Sequence, residues 1–296
     1  MVDQEITLRP QKNTFIELIN AVKINPPAVF SLVILFIYVF IGLFGSMLAP
    51  YEFDEMAVGI PLQKPSWEYL FGTDEFGRDV FSRVLAGGII SLRIGVLVVG
   101  IAGTFGSLVG LVSGYIGGWI DEAVMRITDI FLSVPDLVMA LVIATSLGAS
   151  IDAAIIGITL VRWTGYARLI RSGVIAEKGK DYITASRALG LHPSRIIFKH
   201  IFPNSYTATL VQATFDFGLA ILFASGLSFV GAGAQPPEPE WGALVASGRQ
   251  YVRAAWWIPI FPGFAIFGAV LAFNILGDTL RDFLDPKLRH SMDQKH

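Results

Sequence analysis

Apolar residues run without a charge over positions 28–49, 94–120, 217–237 and 254–277. Each run matches the roughly 20 residues that a helix needs to cross about 30 Å of hydrocarbon. Two further stretches carry charges. Residues 130–149 are broken only by Asp136, and residues 151–170 hold Asp152, Arg162 and Arg168. A charge inside the membrane is costly, so these two stretches predict helices that turn partly toward protein rather than lipid. The pattern predicts six spans. All should be α-helical, because lipid offers no partner to an open backbone and the runs are too long and too continuously apolar for barrel strands.

Composition agrees, with 53% hydrophobic residues and a mean hydropathy of +0.61 over 296 residues. A net charge of −2 argues against a nucleic-acid partner. The absence of cysteine excludes disulfides, thiolate chemistry and Cys-based metal sites. The first 27 residues are polar, and the apolar run after them is too long for a signal-peptide core and lacks a small-residue cleavage pattern. That run is expected to remain as the first anchor.

Six spans place both termini on one side. Arg9, Lys12, Lys23, Arg126, Arg168, Arg171, Lys178, Lys180, Arg187, Arg195, Lys199, Arg281, Lys287, Arg289 and Lys295 fall on that side; the other side holds Lys64, Arg78, Arg83, Arg249 and Arg253. The basic excess predicts that both termini are cytoplasmic. It also places the basic loop 171–205 inside, and segments 50–88 and 235–253 outside.

Within the basic loop, Asp181 is positioned to cap a helix starting at Tyr182, with Ala185, Ala188 and Leu189 at helical spacing and Gly190 as its stop. His192-Pro193 starts a second short helix, with Ile196, Ile197, His200 and Ile201 on one face and Pro203-Asn204 as its end. Taken as a string, Thr184-Ala185-Ser186-Arg187-Ala188-Leu189-Gly190, then nine residues, then His200-Ile201-Phe202-Pro203 resembles the EAA loop of binding-protein-dependent ABC permeases. The spacing, Ala185, Gly190 and Pro203 match; Thr184, Ser186, His200 and Phe202 depart from the pattern. The strings Gly72-Thr73-Asp74-Glu75-Phe76-Gly77-Arg78-Asp79, Leu227-Ser228-Phe229, Gln235-Pro236-Pro237 with Trp241-Gly242, and Phe273-Asn274-Ile275-Leu276-Gly277-Asp278 resemble the second permease of dipeptide, oligopeptide and nickel importers.

The resemblance implies an all-α polytopic inner-membrane subunit with the type I ABC importer transmembrane fold. Its organisation would be a cytoplasmic segment 1–27, a first span and external segment 28–88, a core of five spans 89–282 containing the coupling loop 171–205, and a cytoplasmic tail 283–296. It further implies a sister permease, two ATP-binding subunits that hold ATP and Mg, and an external solute-binding protein. This chain has no Gly-x-x-x-x-Gly-Lys-Ser/Thr string, so no P-loop cradle for phosphates, and it binds no cofactor or metal of its own in this reading. Coupling to the ATPase would fall to Ala185, Arg187, Ala188, Gly190, Arg195 and Pro203.

Docking of the binding protein would fall to Asp74, Arg78, Asp79, Arg83 and Trp241, the four charged residues being expected to form a self-paired turn and helix. Asp216, inside the fifth span, either lines the translocation path or pairs with a neighbouring helix. Arg93 and Arg162 are expected to snorkel toward the membrane interfaces, and Asp129 to pair with Arg126 on its own helix. The solute is open: di- or oligopeptides lead, with nickel chelates, glutathione and oligosaccharides as alternatives, and all four histidines lie on the predicted cytoplasmic side. A membrane-embedded enzyme is disfavoured because no span holds a histidine and no Gly-x-Ser-x-Gly string occurs. A self-contained channel or secondary transporter would be expected to show inverted repeats, and none is evident.

Overall fold

The computed structural model describes residues 26–284. Five helices are long and apolar enough to cross a membrane: α1 (Pro26–Leu48), α2 (Val80–Ile116), α5 (Ile151–Lys178), α9 (Thr207–Phe229) and α11 (Trp257–Leu284). Between α2 and α5, the expected span over residues 130–149 is instead a pair, α3 (Gly118–Leu132) and α4 (Asp136–Leu147), bent by 87°. Pro135 has no amide hydrogen and biases Val134 away from helical backbone, so the helix breaks there. The six-span expectation holds only if this bent pair counts as one crossing.

Helix bounds differ from the uncharged runs because helices in this chain carry charges into protein contacts. α2 starts at Val80, capped by the Asp79 carboxylate on the amide of Ser82, well before Ile94 and inside the segment expected to be external up to Gly88. α9 likewise starts at Thr207 and takes in Asp216, ahead of the run at 217. α5 continues to Lys178, which moves the start of the basic loop from 171 to Gly179.

α5 is the centre of the bundle. Gly106 and Gly110 of α2 lie against its backbone: a β-carbon would fall 2.3 Å from the Trp163 carbonyl oxygen at Gly106 and 2.2 Å from the Ala167 oxygen at Gly110. On the other side of α5, a β-carbon at Gly157 would fall 2.7 Å from the Ala140 oxygen of α4. Lipid tails give apolar helices no reason to associate, so small residues that let backbones approach supply the packing instead. A second group forms around α9. Gly277 of α11 meets Thr214 and Phe215, Phe217 stacks on Phe273 at 4.0 Å between ring centroids, and Gly242 of α10 (Trp241–Gly248) presses on Ser225.

Segment 50–79 closes one end of the bundle. Thr73 donates from Oγ1 to the Ile60 carbonyl at 2.6 Å, Tyr69 from its hydroxyl to Val58 at 2.5 Å, and Trp257 from its indole to the Thr73 carbonyl at 3.0 Å. The opposite end carries α6 (Asp181–Ala188), α7 (Pro193–Ile196), a π-helical turn (Ile197–Ile201) and α8 (Phe202–Ser205). Residues 1–25 and 285–296, including the basic residues and histidines assigned there, lie outside the described residues.

Replacing Gly110 with Leu should prevent the α2–α5 contact, because the clash is with backbone and cannot relax by a rotamer change. The expected result is loss of most folded subunit in a detergent thermal-unfolding or fluorescence size-exclusion assay. Gly100→Leu should leave the profile unchanged, since nothing lies within 4 Å of a β-carbon there.

Candidate functional site: a charged seam and an exposed helical hairpin

Three arginines of α5 each reach a carboxylate on a neighbouring helix. Arg171 donates to both oxygens of Asp121 on α3, at 2.5 and 2.6 Å. Arg168 pairs with Asp129 of α3, and Arg126 with Glu122, so the expected Arg126–Asp129 pair does not form. The α3–α5 packing brings a stronger partner to Asp129 than its own helix offers.

Arg162 sits at the third node. Its Nη1 donates to Asp136 Oδ2 of α4 at 2.8 Å, and its Nη2 donates to Asp216 Oδ1 of α9. Gln212, one turn before Asp216, donates to the same oxygen at 2.8 Å. Arg162 therefore does not snorkel: two carboxylates compensate its charge in place, and its side chain is only 17% exposed. Asp216 is 3% exposed and is paired with Arg162 of α5 and with Gln212 of its own helix. Arg93, by contrast, forms an exposed pair with Asp152 at 3.2 Å.

The residues expected to dock the binding protein are interior. Arg78 donates to Asp74 at 2.6 Å, Asp79 caps α2, and Arg83 donates to the Phe53 carbonyl at 2.8 Å. Trp241 donates from its indole to the Val84 carbonyl at 2.9 Å. All five are buried, so they brace the end of the bundle and present no side chain to a partner. Burial also raises the Glu75 carboxyl beside them above its ordinary range. Exposed apolar residues here, Ile60 and the 98% exposed Trp67, were not singled out from sequence.

At the opposite end the hairpin is built largely as its sequence suggests. Gly190 has φ +72°, a left-handed conformation that turns the chain after α6, and His192 caps α7 ahead of Pro193. Two expectations are corrected. Lys180, not Asp181, is the N-cap of α6, leaving Asp181 in the first turn where its charge favours the helix dipole. Pro203 does not stop the second helix. The π-helical turn before it relieves the missing amide hydrogen, and helix continues to Ser205.

One face of the hairpin is fixed to the bundle by Ile183, Ile196 and Ile201, packed on Leu111, Ile170 and Val174. Tyr182 donates to Glu177, and that carboxylate holds the phenol above its ordinary range. The other face exposes Ala185, Arg187, Ala188, Gly190 and Arg195, and Pro203 is also exposed. Leu189, 80% exposed at the tip, and Phe198, 63% exposed, join this surface. The sequence singled out neither as exposed, and it placed Leu189 at helical spacing with Ala185 and Ala188.

The match to the binding-protein-dependent transport system inner membrane component family spans residues 106–290, and residues 21–65 match the N-terminal TM domain of oligopeptide transport permease C. The chain belongs to the family of binding-protein-dependent ABC importer permeases. It is 42% identical to a dipeptide transport system permease protein DppC of Alkalihalophilus pseudofirmus, over 97% of this chain and 93% of that one. It is also 42% identical to a probable D,D-dipeptide transport system permease protein DdpC of Escherichia coli, over 97% and 98%. Among solved structures, the MetNI methionine ABC transporter in inward-facing form shares the fold, with a TM-score of 0.54 at 22% identity, covering 68% of this chain and 96% of that one. This permease is thus an all-helical, multi-pass membrane subunit of an importer with the type I transmembrane fold.

Removing the positive charge from the Arg162 node strands the buried Asp216 carboxylate and the partly buried Asp136 carboxylate. Arg162→Met should cost about 3–5 kcal/mol, the usual penalty for breaking one side of a buried ion pair, seen as a lower unfolding temperature of the purified subunit. Arg93→Met, at an exposed pair, should shift it little.

Proposed function

We propose that this permease forms half of a transmembrane pathway for di- or oligopeptides, and that α6–α8 couple it to ATP-hydrolysing partner subunits. Near-full-length identity of 42% to permeases named for dipeptide transport carries the solute class. The exposed hairpin face carries the coupling assignment: it is rigidly seated on the bundle by three buried isoleucines, yet it leaves Leu189, Ala185, Ala188, Arg187 and Arg195 open. An apolar tip with flanking arginines suits a groove bordered by carboxylates. A hairpin held stiffly at its base passes displacement of its tip into α5 and α9, between which it lies in the chain.

In this reading the chain holds no nucleotide; ATP and Mg are bound by two ATP-binding subunits. A sister permease supplies the other half of the pathway, and an external solute-binding protein delivers solute to the end closed by segment 50–79. The chain sits in the cell inner membrane with both termini in the cytoplasm. The ion pairs of α5 are structural cross-braces in this scheme, and the chain performs no chemistry on its cargo.

Gly190→Pro tests the coupling. Proline fixes φ near −65° and cannot adopt the +72° found here, so the corner should reshape while the bundle stays folded. With the neighbouring transport subunits co-expressed, ATP hydrolysis stimulated by peptide-loaded binding protein should fall at least about tenfold, corresponding to roughly 1.4 kcal/mol of lost coupling, with the unfolding temperature little changed. Equal stimulation in the variant and the parent would refute the assignment.

A further inference from the structure

The Arg168–Asp129 pair is half open at membrane depth, with side chains 45% and 52% exposed. The contacts between α2 and α5 set that depth. α2 carries no charge from Ile94 to its end at Ile116, and Gly106, near the middle of this stretch, meets the Trp163 carbonyl oxygen of α5. Arg168 is five residues beyond Trp163, so it lies about 8 Å from the middle, inside the roughly 15 Å half-thickness of the hydrocarbon. An aspartate side chain is too short to snorkel from there. Lipid does not solvate such a pair, so water or protein must cover it.

The surface around the pair also differs from one made for lipid. Gly165, Arg168, Ser172 and Ala176 recur at three- and four-residue spacing on one face of α5, and all four are exposed, with Ile175 at the edge. None of the four carries a large apolar side chain, whereas α1 exposes Phe36 and Leu43, and α11 exposes Phe264 and Phe267. A β-carbon at Gly165 would meet nothing within 4 Å. α3 borders this face through Asp129, and Arg162 spans its outer end, donating from one nitrogen to Asp136 of α4 and from the other to Asp216 of α9. The face therefore runs from a bridged end near the middle of the membrane to the hairpin end.

We propose that this face of α5 borders the water-filled part of the solute path that opens toward the hairpin end, and that Arg168 and Asp129 are charged groups the cargo passes there. Water satisfies the exposed half of the pair, while the paired half still braces α3 on α5. A peptide carries a charge of each sign at its termini. A wall with one cation and one anion in balance offers a passing partner to either terminus and holds neither, which is what conduction requires of a lining group. The Arg162 bridge, with its side chain only 17% exposed, marks where this open part ends. The inference rests on the proposed function, because it assigns a solute path to this subunit.

The test uses the full transporter complex in lipid nanodiscs. This chain has no cysteine, so Gly165→Cys gives it one thiol on the open face. Phe36→Cys, 71% exposed on the uncharged α1, is the lipid reference, and the 98% exposed Trp67→Cys is the water reference. A thiol reacts as its thiolate, which forms in water and not in hydrocarbon, so a charged methanethiosulfonate should modify Gly165→Cys at least about tenfold faster than Phe36→Cys and within about tenfold of Trp67→Cys. Arg168→Gln leaves the Asp129 charge alone on the wall, and uptake of a lysine-containing dipeptide relative to a glutamate-containing one should rise at least about threefold. If Gly165→Cys is as unreactive as Phe36→Cys in a complex that hydrolyses ATP, lipid or a dry contact with the sister permease covers this face, and the path assignment alone is overturned. An unchanged uptake ratio in Arg168→Gln removes the pair from the path. Absence of co-purifying ATPase subunits overturns the permease reading and the path assignment together.

Discussion

Backbone contact between α2 and α5 is the constraint on which the rest of the bundle depends. In hydrocarbon, neither helix gains from hiding leucine or isoleucine from its surroundings; close approach and polar pairing are the available sources of attraction. Gly106 and Gly110 remove the side chains that would hold the helices apart, and the Ala167 and Trp163 carbonyls occupy that space. With the backbones this close, α5 is enclosed on several sides. It can then carry arginines at positions 162, 168 and 171, each turned to a carboxylate on another helix. Those pairs orient α3, α4 and α9, and α5 in turn supports the hairpin through Ile170 and Val174.

The two ends of the bundle use polar groups differently. At the segment 50–79 end, Asp74, Arg78, Asp79 and Arg83 are turned inward and held by one another or by backbone. The end is braced, and its exposed surface is apolar at Ile60 and Trp67. At the hairpin end the apolar residues that anchor the loop are inside, while arginines and the Leu189 tip face outward. Such a division, with one end braced and the other presenting an exposed hairpin, suits the coupling proposed for α6–α8.

Much of this was legible in the sequence, and what was not has definite physical causes. Uncharged runs located α1 and the cores of α2, α9 and α11, because hydrophobic length is a direct demand of the bilayer. Uncharged runs marked helix ends poorly where a charge is paired inside the fold: the run at 217 begins just after Asp216, which the sequence already placed inside the fifth span and which Arg162 and Gln212 hold as an interior residue of α9. The Pro135 break was missed because its flanking residues are apolar enough to resemble one span. Gly190 and His192-Pro193 were readable because their backbone demands are local. Pro203 was misjudged because a π-helical turn relieves a proline at the expense of regular spacing, and sequence periodicity does not show it. Ion pairs across helices, such as Asp129 with Arg168, depend on which faces meet, and one chain read alone does not reveal that.

Coupling through the exposed hairpin is the centre of this account, and thiol cross-linking from Leu189 tests it most directly. In a chain free of native cysteine, Leu189→Cys is the only attachment point this subunit offers to a short bismaleimide. The account predicts a covalent adduct with an ATP-binding subunit in the assembled complex, and none from Trp67→Cys at the opposite end. An adduct from Trp67→Cys but not from Leu189→Cys, or no adduct from Leu189→Cys in a complex that hydrolyses ATP, would contradict it.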